Sequence, residues 1–411
     1  DNHCRNVVQI YSSFLWRVPP TRDYGKLTGD PQLEAFIEDA DLDGRTFNNV
    51  MREMQINASI YGNCWAIIDK PQVNTKTRAE ELEQDIRPYI SIYTPENVVN
   101  WHYSRAPSGR FYLDLLVLLE DVNQERAIVK VFTEEDICTY EVKDYLKDFS
   151  NKEVKLLDEV INPLGKIPAV NLYNQRSHKR PIGISDLSDV AELQQSIYND
   201  YSEKEQLIRL ANHPSLVKTP NVNASAGAGS IIEMPEDMEP NLKPYIIQPS
   251  GQNLDGIMKS IQTKIQAIDR ITHMGSVRST SGQIASGIAL QTEFQLLNAR
   301  LSEKADHLEN AEESIWNCFA MWQNQTWDGK IEYPDSFDIR DWASDIQLLQ
   351  IAKASGVKSE TFTKEIDKQI VSAVIDDDES INTINNEIDS STSAIGSFST
   401  PSIEGQETQE E

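Results

Sequence analysis

Pro181-Ile182-Gly183-Ile184-Ser185-Asp186 opens a stretch, 183–327, that reads as helix, Pro/Gly-rich excursion, helix, small-residue loop and long helix. Ser185 stands where an N-cap belongs, and Asp186 and Asp189 fall where the positive end of a helix dipole favours anions. Apolar side chains recur at Ile184, Leu187, Val190, Ala191, Ile197, Tyr198 and Tyr201, close to a 3.6-residue period. The pattern runs on to Leu210 and stops before Pro214, whose ring disfavours helical geometry at the preceding residue. A helix over 183–211 would reach about 40 Å at 1.5 Å per residue, which outgrows an ordinary core helix.

Pro214, Pro220, Pro235, Pro240, Pro244 and Pro249 punctuate 212–251, together with Ala224-Ser225-Ala226-Gly227-Ala228-Gly229-Ser230, so no helix crosses it. Leu216-Val217, Ile231-Ile232 and Tyr245-Ile246-Ile247 are each long enough for a strand, which predicts a small protruding β-rich module. Helix resumes from Leu254 to about Met274. Gly275-Ser276-Val277-Arg278-Ser279-Thr280-Ser281-Gly282-Gln283 then reads as a loop of small polar residues with Val277 as its apolar anchor. From Ile284 or Gly287 a very long helix carries Ile288, Phe294, Leu297, Leu301, Ala305, Leu308, Ala311, Ile315, Phe319 and Trp322.

Upstream, Val7 to Trp16 suits an amphipathic helix ended by Pro19-Pro20, and a mostly polar connector leads to a second helix over 45–60. Tyr61-Gly62-Asn63 turns that helix into the short apolar strand Cys64-Trp65-Ala66-Ile67-Ile68-Asp69. Strand signals repeat at 89–93, 112–119, 127–132, 137–142 and, past a charged turn, 167–173. Meandering strands at short spacing predict an antiparallel sheet packed on the N-terminal helices, so the fold class is α+β and helix-rich. Beyond Pro334 a helix is expected over 342–354, and Ser359 or Thr361 caps another running through Val374. From Asp376 the chain is rich in Asp, Glu, Ser and Thr, which predicts a disordered acidic tail over 376–411.

The 411 residues hold 38 Lys and Arg against 65 Asp and Glu, a formal net charge of -27. That balance argues against a surface built to grip nucleic acid, which needs clustered cations. Cys4, Cys64, Cys138 and Cys318 are far apart and form no CxxC pair, so neither a disulfide framework nor a zinc site is expected, and a reducing cytoplasm is. No apolar run reaches the length of a membrane span, and the first residues lack the features of a signal peptide. A chain that begins at Asp1 instead of Met leads to the expectation of a missing N-terminal portion.

The common chemistry motifs do not occur. There is no GxxxxGK[ST] loop, and Gly227-Ala228-Gly229 is a lone glycine pair without flanking strand and helix. His3, His102, His178, His213, His273 and His307 form no HExxH pattern. Asp376-Asp377-Asp378-Glu379 reads as a solvated charge run more readily than a cation site, and no GxSxG elbow occurs. No catalytic residue, no metal site and no cofactor is expected, and the protein is read as not an enzyme.

The order of elements over 183–327 resembles the portal, or head-to-tail connector, protein of tailed bacteriophages. Four phrases also look like that family: Ile60-Tyr61-Gly62-Asn63-Cys64-Trp65-Ala66-Ile67-Ile68-Asp69-Lys70-Pro71, Tyr93-Thr94-Pro95-Glu96-Asn97-Val98-Val99-Asn100-Trp101, Ser196-Ile197-Tyr198-Asn199-Asp200-Tyr201-Ser202, and Ala285-Ser286-Gly287-Ile288-Ala289-Leu290. The resemblance implies a wing over 1–182, a first stem helix over 183–211, a clip over 212–251 and a second stem helix over 252–274. It further implies a tunnel loop over 275–286, a long wing helix over 287–333 and a helical crown over 334–375.

By the same resemblance the protein is expected to form a homo-oligomeric ring, a dodecamer, at one capsid vertex of the virion after assembly in the host cytoplasm. The ring would be the conduit for packaging and ejection of double-stranded DNA, without sequence specificity and without a membrane. Its expected partners are the major capsid protein, the terminase large subunit and a head-completion or adaptor protein. An acidic wall would keep the duplex sliding by repulsion.

Within that frame Lys259, Lys264 and Arg270, with Asp255 and Asp269 interspersed, are candidates for facing the bore, or alternatively for pairing with Glu203 and Glu205 on a neighbouring stem. Ser276, Val277, Arg278, Ser279, Thr280 and Gln283 are the tunnel-loop candidates. Arg278 is the one singled out to touch DNA, against the plainer reading of a surface loop with a stray arginine. Rival expectations are a monomeric or dimeric scaffolding module of the virion without a channel, and a nuclease or ATPase of the packaging machinery.

Overall fold

The computed structural model describes residues 2–71, 77–123, 125–143, 145, 153–212, 215–217, 239, 245–247, 252–278, 287–337, 349–353, 359–374 and 378–390. It is a mixed helix and sheet structure with one compact unit over Asp1–Phe337 and a second over Asp338–Glu411.

Helix α1 (His3–Leu15) is capped by Asn2, whose side chain accepts from the Arg5 amide, and buries Val7, Val8, Tyr11 and Leu15. Strand β1 (Thr21–Asp23) and helix α2 (Pro31–Glu38) follow. A helix therefore lies inside the segment expected as a polar connector. Asp30 caps it with Pro31 at its start, and Leu33 and Phe36 supply the short buried face that a scan for longer apolar periods passes over.

Thr46 caps α3 (Phe47–Tyr61), and Gly62 ends it at φ +94°. Strand β2 (Asn63–Asp69) is buried along its whole length, because its two faces serve two cores. Cys64, Ala66 and Ile68 face the helical core; Trp65 and Ile67 face a second cluster with Val98, Leu116, Leu118 and Phe132.

Helix α4 (Arg78–Glu83) precedes β3 (Tyr89–Tyr93). Then come β4 (Val98–Arg105), β5 (Phe111–Val122), β6 (Arg126–Thr133), β7 (Asp136–Lys143), β8 (Val154–Ile161) and β9 (Ala169–Tyr173). Strands β4 to β8 form a five-stranded antiparallel meander in chain order, and β2 sits between β3 and β9 in a three-stranded antiparallel sheet. Strand β8 falls where a charged turn was expected. As an edge strand exposed on both faces, it carries no clean apolar alternation for a pattern search to find.

The long elements follow: α5 (Val190–Asn212), β10 (Ser215–Val217), β11 (Tyr245–Ile247), α6 (Gln252–Ile271), α7 (Gly275–Arg278) and α8 (Gly287–Trp322). With 36 residues, α8 spans about 54 Å. Its buried residues Leu297, Leu301, Ala305, Leu308, Ala311, Ile315 and Phe319 recur at steps of three and four and form the spine of the main core. Around its C-terminal half Trp316 meets Phe47 at 4.7 Å and Tyr24 at 5.0 Å between ring centroids, and Phe319 meets Phe36 at 4.8 Å. The helix ends at Trp322, short of the expected 327, with Asn324 left-handed at φ 54°; β12 (Lys330–Glu332) then pairs with β1.

In the second unit, residues 349–353 are helical. Helix α9 (Glu360–Val374) starts at Ser359, whose hydroxyl accepts from the Phe362 amide 3.3 Å away. Helix α10 (Asp378–Ser390) corrects the expectation of a disordered tail from Asp376. Ile381, Ile384 and Ile388 share one partly buried stripe, and Lys368 on α9 pairs with Asp389 at 2.6 Å. Three isoleucines at helical spacing outweigh an acidic composition.

Candidate functional site: the paired helices and their anchor

Helices α5 and α6 pack side by side, and the strand after one pairs antiparallel with the strand before the other. Ser215 faces Ile247, Leu216 faces Ile246 and Val217 faces Tyr245. The chain therefore leaves along α5, turns, and returns along α6. Leu216-Val217 and Tyr245-Ile246-Ile247 form the strands read from the sequence, while Ile231-Ile232 lies outside the described residues.

One stripe of α6 holds it to its neighbours: Ile257, Ile261, Ile265 and Ile268 are buried or half-buried. Lys264 lies at the edge of this stripe. Its ammonium reaches Asp200 Oδ2 on α5 at 2.6 Å, and Ser260 donates to the same oxygen at 2.9 Å. The hydrogen bond from Lys264 holds the Asp200 carboxyl below its ordinary range.

Lys259 and Arg270 are exposed on the opposite face, in one stripe with Thr263 and Gln266. The sequence left all three cations as candidates for one bore-facing surface or for pairing with a neighbouring stem. The structure separates them, because a step of five residues from 259 to 264 turns the side chain by about 140° at 3.6 residues per turn. Within the chain, the partner of Lys264 is Asp200.

Gly275–Arg278 form a helical turn, α7, where a loop was expected. The Val277 amide donates to Met274 O at 3.1 Å, and a Cβ on Gly275 would stand 2.8 Å from Glu293 Oε2, so the turn packs tightly on α8. Ser276 and Arg278 lie on that turn, and Val277 is 40% exposed. Ser279, Thr280 and Gln283 lie outside the described residues.

The base of α5 is fixed by a buried polar knot that sequence reasoning missed. The helix begins at Val190, not at 183, because Ser185 and Asp186 are used elsewhere. The Ser185 hydroxyl donates to the Ile60 carbonyl at 2.6 Å and accepts from the Leu187 amide at 3.0 Å. The Asp186 carboxylate, almost fully buried, accepts from Lys304 Nζ at 2.7 Å, Arg300 Nη2 at 2.8 Å and Asn174 Nδ2 at 3.0 Å. Burial raises this carboxyl, but the Lys304 ammonium and the hydrogen bonds from Arg300, Lys304 and Asn174 outweigh it and hold it below the usual range.

Both cations lie over the Tyr11 ring, Lys304 at 5.1 Å and Arg300 at 5.9 Å, and the Tyr11 hydroxyl donates to Thr272 O at 2.8 Å. One knot thus ties α1, β9, the base of α5, the end of α6 and α8. The signal was present in the sequence: Lys304 interrupts the apolar stripe of α8 between Leu301 and Leu308, and a cation there implies a buried anion.

Among the described residues no group of three His, Cys, Asp or Glu is placed to hold a metal ion, and no helix is long and apolar enough to cross a membrane.

The family model described as "Phage portal protein, SPP1 Gp6-like" matches residues 2–394. No curated protein matches the chain. Among solved structures, a chain in the virion of a native gene transfer agent (GTA) particle is 10% identical with a TM-score of 0.48, 88% of each chain being covered. A chain in the neck of the native GTA particle computed with C12 symmetry is 9% identical, with a TM-score of 0.47 over 88% of each chain. A chain in the neck of the empty GTA particle computed with C6 symmetry is 9% identical, with a TM-score of 0.48 over 86% of each chain. The family match runs from the residue before α1 to beyond α10 and takes in both rods and the knot that anchors them: the chain belongs to the phage portal protein family.

Proposed function

We propose that copies of this chain assemble as a closed ring, a dodecamer, at one vertex of a viral particle, and that double-stranded DNA passes through the ring during packaging and ejection. The observation that carries the reading is the α5–α6 pair joined by the β10–β11 ribbon at its far end, in a chain of the portal family. In this reading α5 and α6 are the stem, 212–251 is the clip, 275–286 is the tunnel loop, the N-terminal helices and sheets with α8 are the wing, and 334–375 is the crown. A pair of helices cannot by itself enclose a pore, so the function lies in repetition of one geometry by heterologous contacts that close. The protein works as structure, not as an enzyme.

The exposed stripe of α6 faces the bore. Lys259 and Arg270, about 16 Å apart along the axis at 1.5 Å per residue, offer two phosphate contacts per copy. Lys264 is neutralised by Asp200 and offers none. Two cations per copy set in a chain of net charge -27 give contacts that are weak and salt-sensitive, so the duplex slides instead of sticking. Arg278 is the tunnel-loop contact. The clip docks the terminase large subunit during filling and a head-completion or adaptor protein afterwards, and the wing meets the major capsid protein.

Light scattering on the purified chain tests the reading. A ring gives a mass many times that of one chain, and a particle of one or two copies contradicts it.

A further inference from the structure

In this acidic chain one groove is lined by cations without a carboxylate among its lining residues. It lies between the β4–β5 hairpin, strand β9 and α8, with a volume of about 1030 Å³. Arg110, Lys166, Arg176 and Arg180 surround it, all exposed, together with Phe111 and His307. The Arg180 guanidinium stands 4.2 Å over the Phe111 ring and that of Arg176 5.0 Å over Tyr173. Stacking fixes both planar groups while leaving their N–H edges available to an incoming carboxylate.

At the other edge of the five-stranded sheet, β8 shows the complementary surface. Glu159 is exposed there on one face, with Val154 at 58% and Ile161 at 76% exposure, while Asp158 is exposed on the other face with Lys155. The pairing of β7 with β8 is irregular: Thr139 faces Asp158 and Tyr140 faces Leu156, which leaves Leu157 as an extra, bulged residue. A bulge spoils the free edge as a template for another strand, so this edge meets a partner through side chains. The two surfaces lie at opposite edges of one sheet, four strand spacings or about 19 Å apart. That is the arrangement a head-to-tail contact requires.

We propose that the cationic groove of one copy receives the β8 edge of the next copy around the ring, with Glu159 set against Arg176 and Arg180 and the apolar side chains on the same face of β8, Val154 and Ile161, against Phe111. The occupant is a second copy of this chain and not nucleic acid, because a groove of this volume admits a few side chains but not the width of a duplex. The inference rests on the ring proposed above.

Two charge reversals test it, Arg176→Glu with Arg180→Glu, and separately Glu159→Lys. Each is expected to shift the ring-to-subunit equilibrium toward subunits by about tenfold or more, and the three changes combined to restore rings, which also shows that the variants fold. As an independent readout, rings assembled from equal parts of ordinary and ¹⁵N-labelled chains are treated with a carbodiimide. A mixed-isotope link from Lys166 to Glu159 is expected. Variants that assemble like wild type, with no mixed-isotope link, overturn the groove contact while the ring stands. A wild-type chain that forms no ring overturns the ring itself.

Discussion

The ammonium of Lys264 on α6 sits 2.6 Å from the carboxylate of Asp200 on α5, and this pair sorts the cations of α6. One is spent on holding two helices together; Lys259 and Arg270, on the far face, are not. Because both partners are about one-fifth exposed, Lys264→Met costs at most about 1 kcal/mol. Lys259→Gln and Arg270→Gln change stability by less than about 0.5 kcal/mol. Thermal melting of the three variants checks the order. Only the latter two are expected to lower the salt sensitivity of DNA retention by assembled rings.

The knot at the base of α5 predicts a much larger effect from a lysine on α8. Lys304→Met leaves the buried Asp186 carboxylate without its closest cation, and loss of one partner of a buried pair costs about 3–5 kcal/mol. Urea unfolding of the first unit's transition measures it. A change below about 1 kcal/mol would show that the pair does not hold the helices.

The same carboxylate sets a pH dependence. Its folded pKa is depressed, so its contribution is fully present above the ordinary value of 3.8 and is lost as pH falls through the lower folded value. The stability gap between wild type and Asp186→Asn is therefore expected to be constant above about pH 5 and to narrow below pH 4. Denaturant midpoints across pH 2–7 would show it, and a gap that widens on acidification would contradict the assignment.

Gly62 and Gly183 touch backbone to backbone. A Cβ on Gly183 would stand 1.9 Å from Gly62 O, and one on Gly62 would stand 2.6 Å from Gly183 O at a φ of +94°. Gly183→Ala must push the start of the α5 lead-in away from the end of α3, at a cost of about 1–3 kcal/mol. Gly109→Ala, where a Cβ meets nothing within 4 Å, is the control that carries φ strain alone. Calorimetric melting temperatures compare the two.

Much of this architecture was legible in the chain itself. Long apolar periods announced α1, α3, α5, α6 and α8, and prolines marked the excursion between α5 and α6. Short or weakly patterned elements escaped. Helix α2 offers one buried turn, β8 is exposed on both faces, and α10 hides three isoleucines in an acidic run. The fate of Asp186 was illegible for a different reason: a carboxylate suited to a helix start was recruited by Lys304, more than a hundred residues away, and local rules do not register such contacts. Lys259, Lys264 and Arg270 share one helix, but only the helical phase shows that Lys264 faces inward.

Electron microscopy of the assembled chain tests the central claim most directly. The account predicts annular particles with a central opening, walled by α6 with Lys259, Thr263, Gln266 and Arg270 toward the lumen. Particles without an opening, or rings in which that stripe of α6 is turned away from it, would contradict the account.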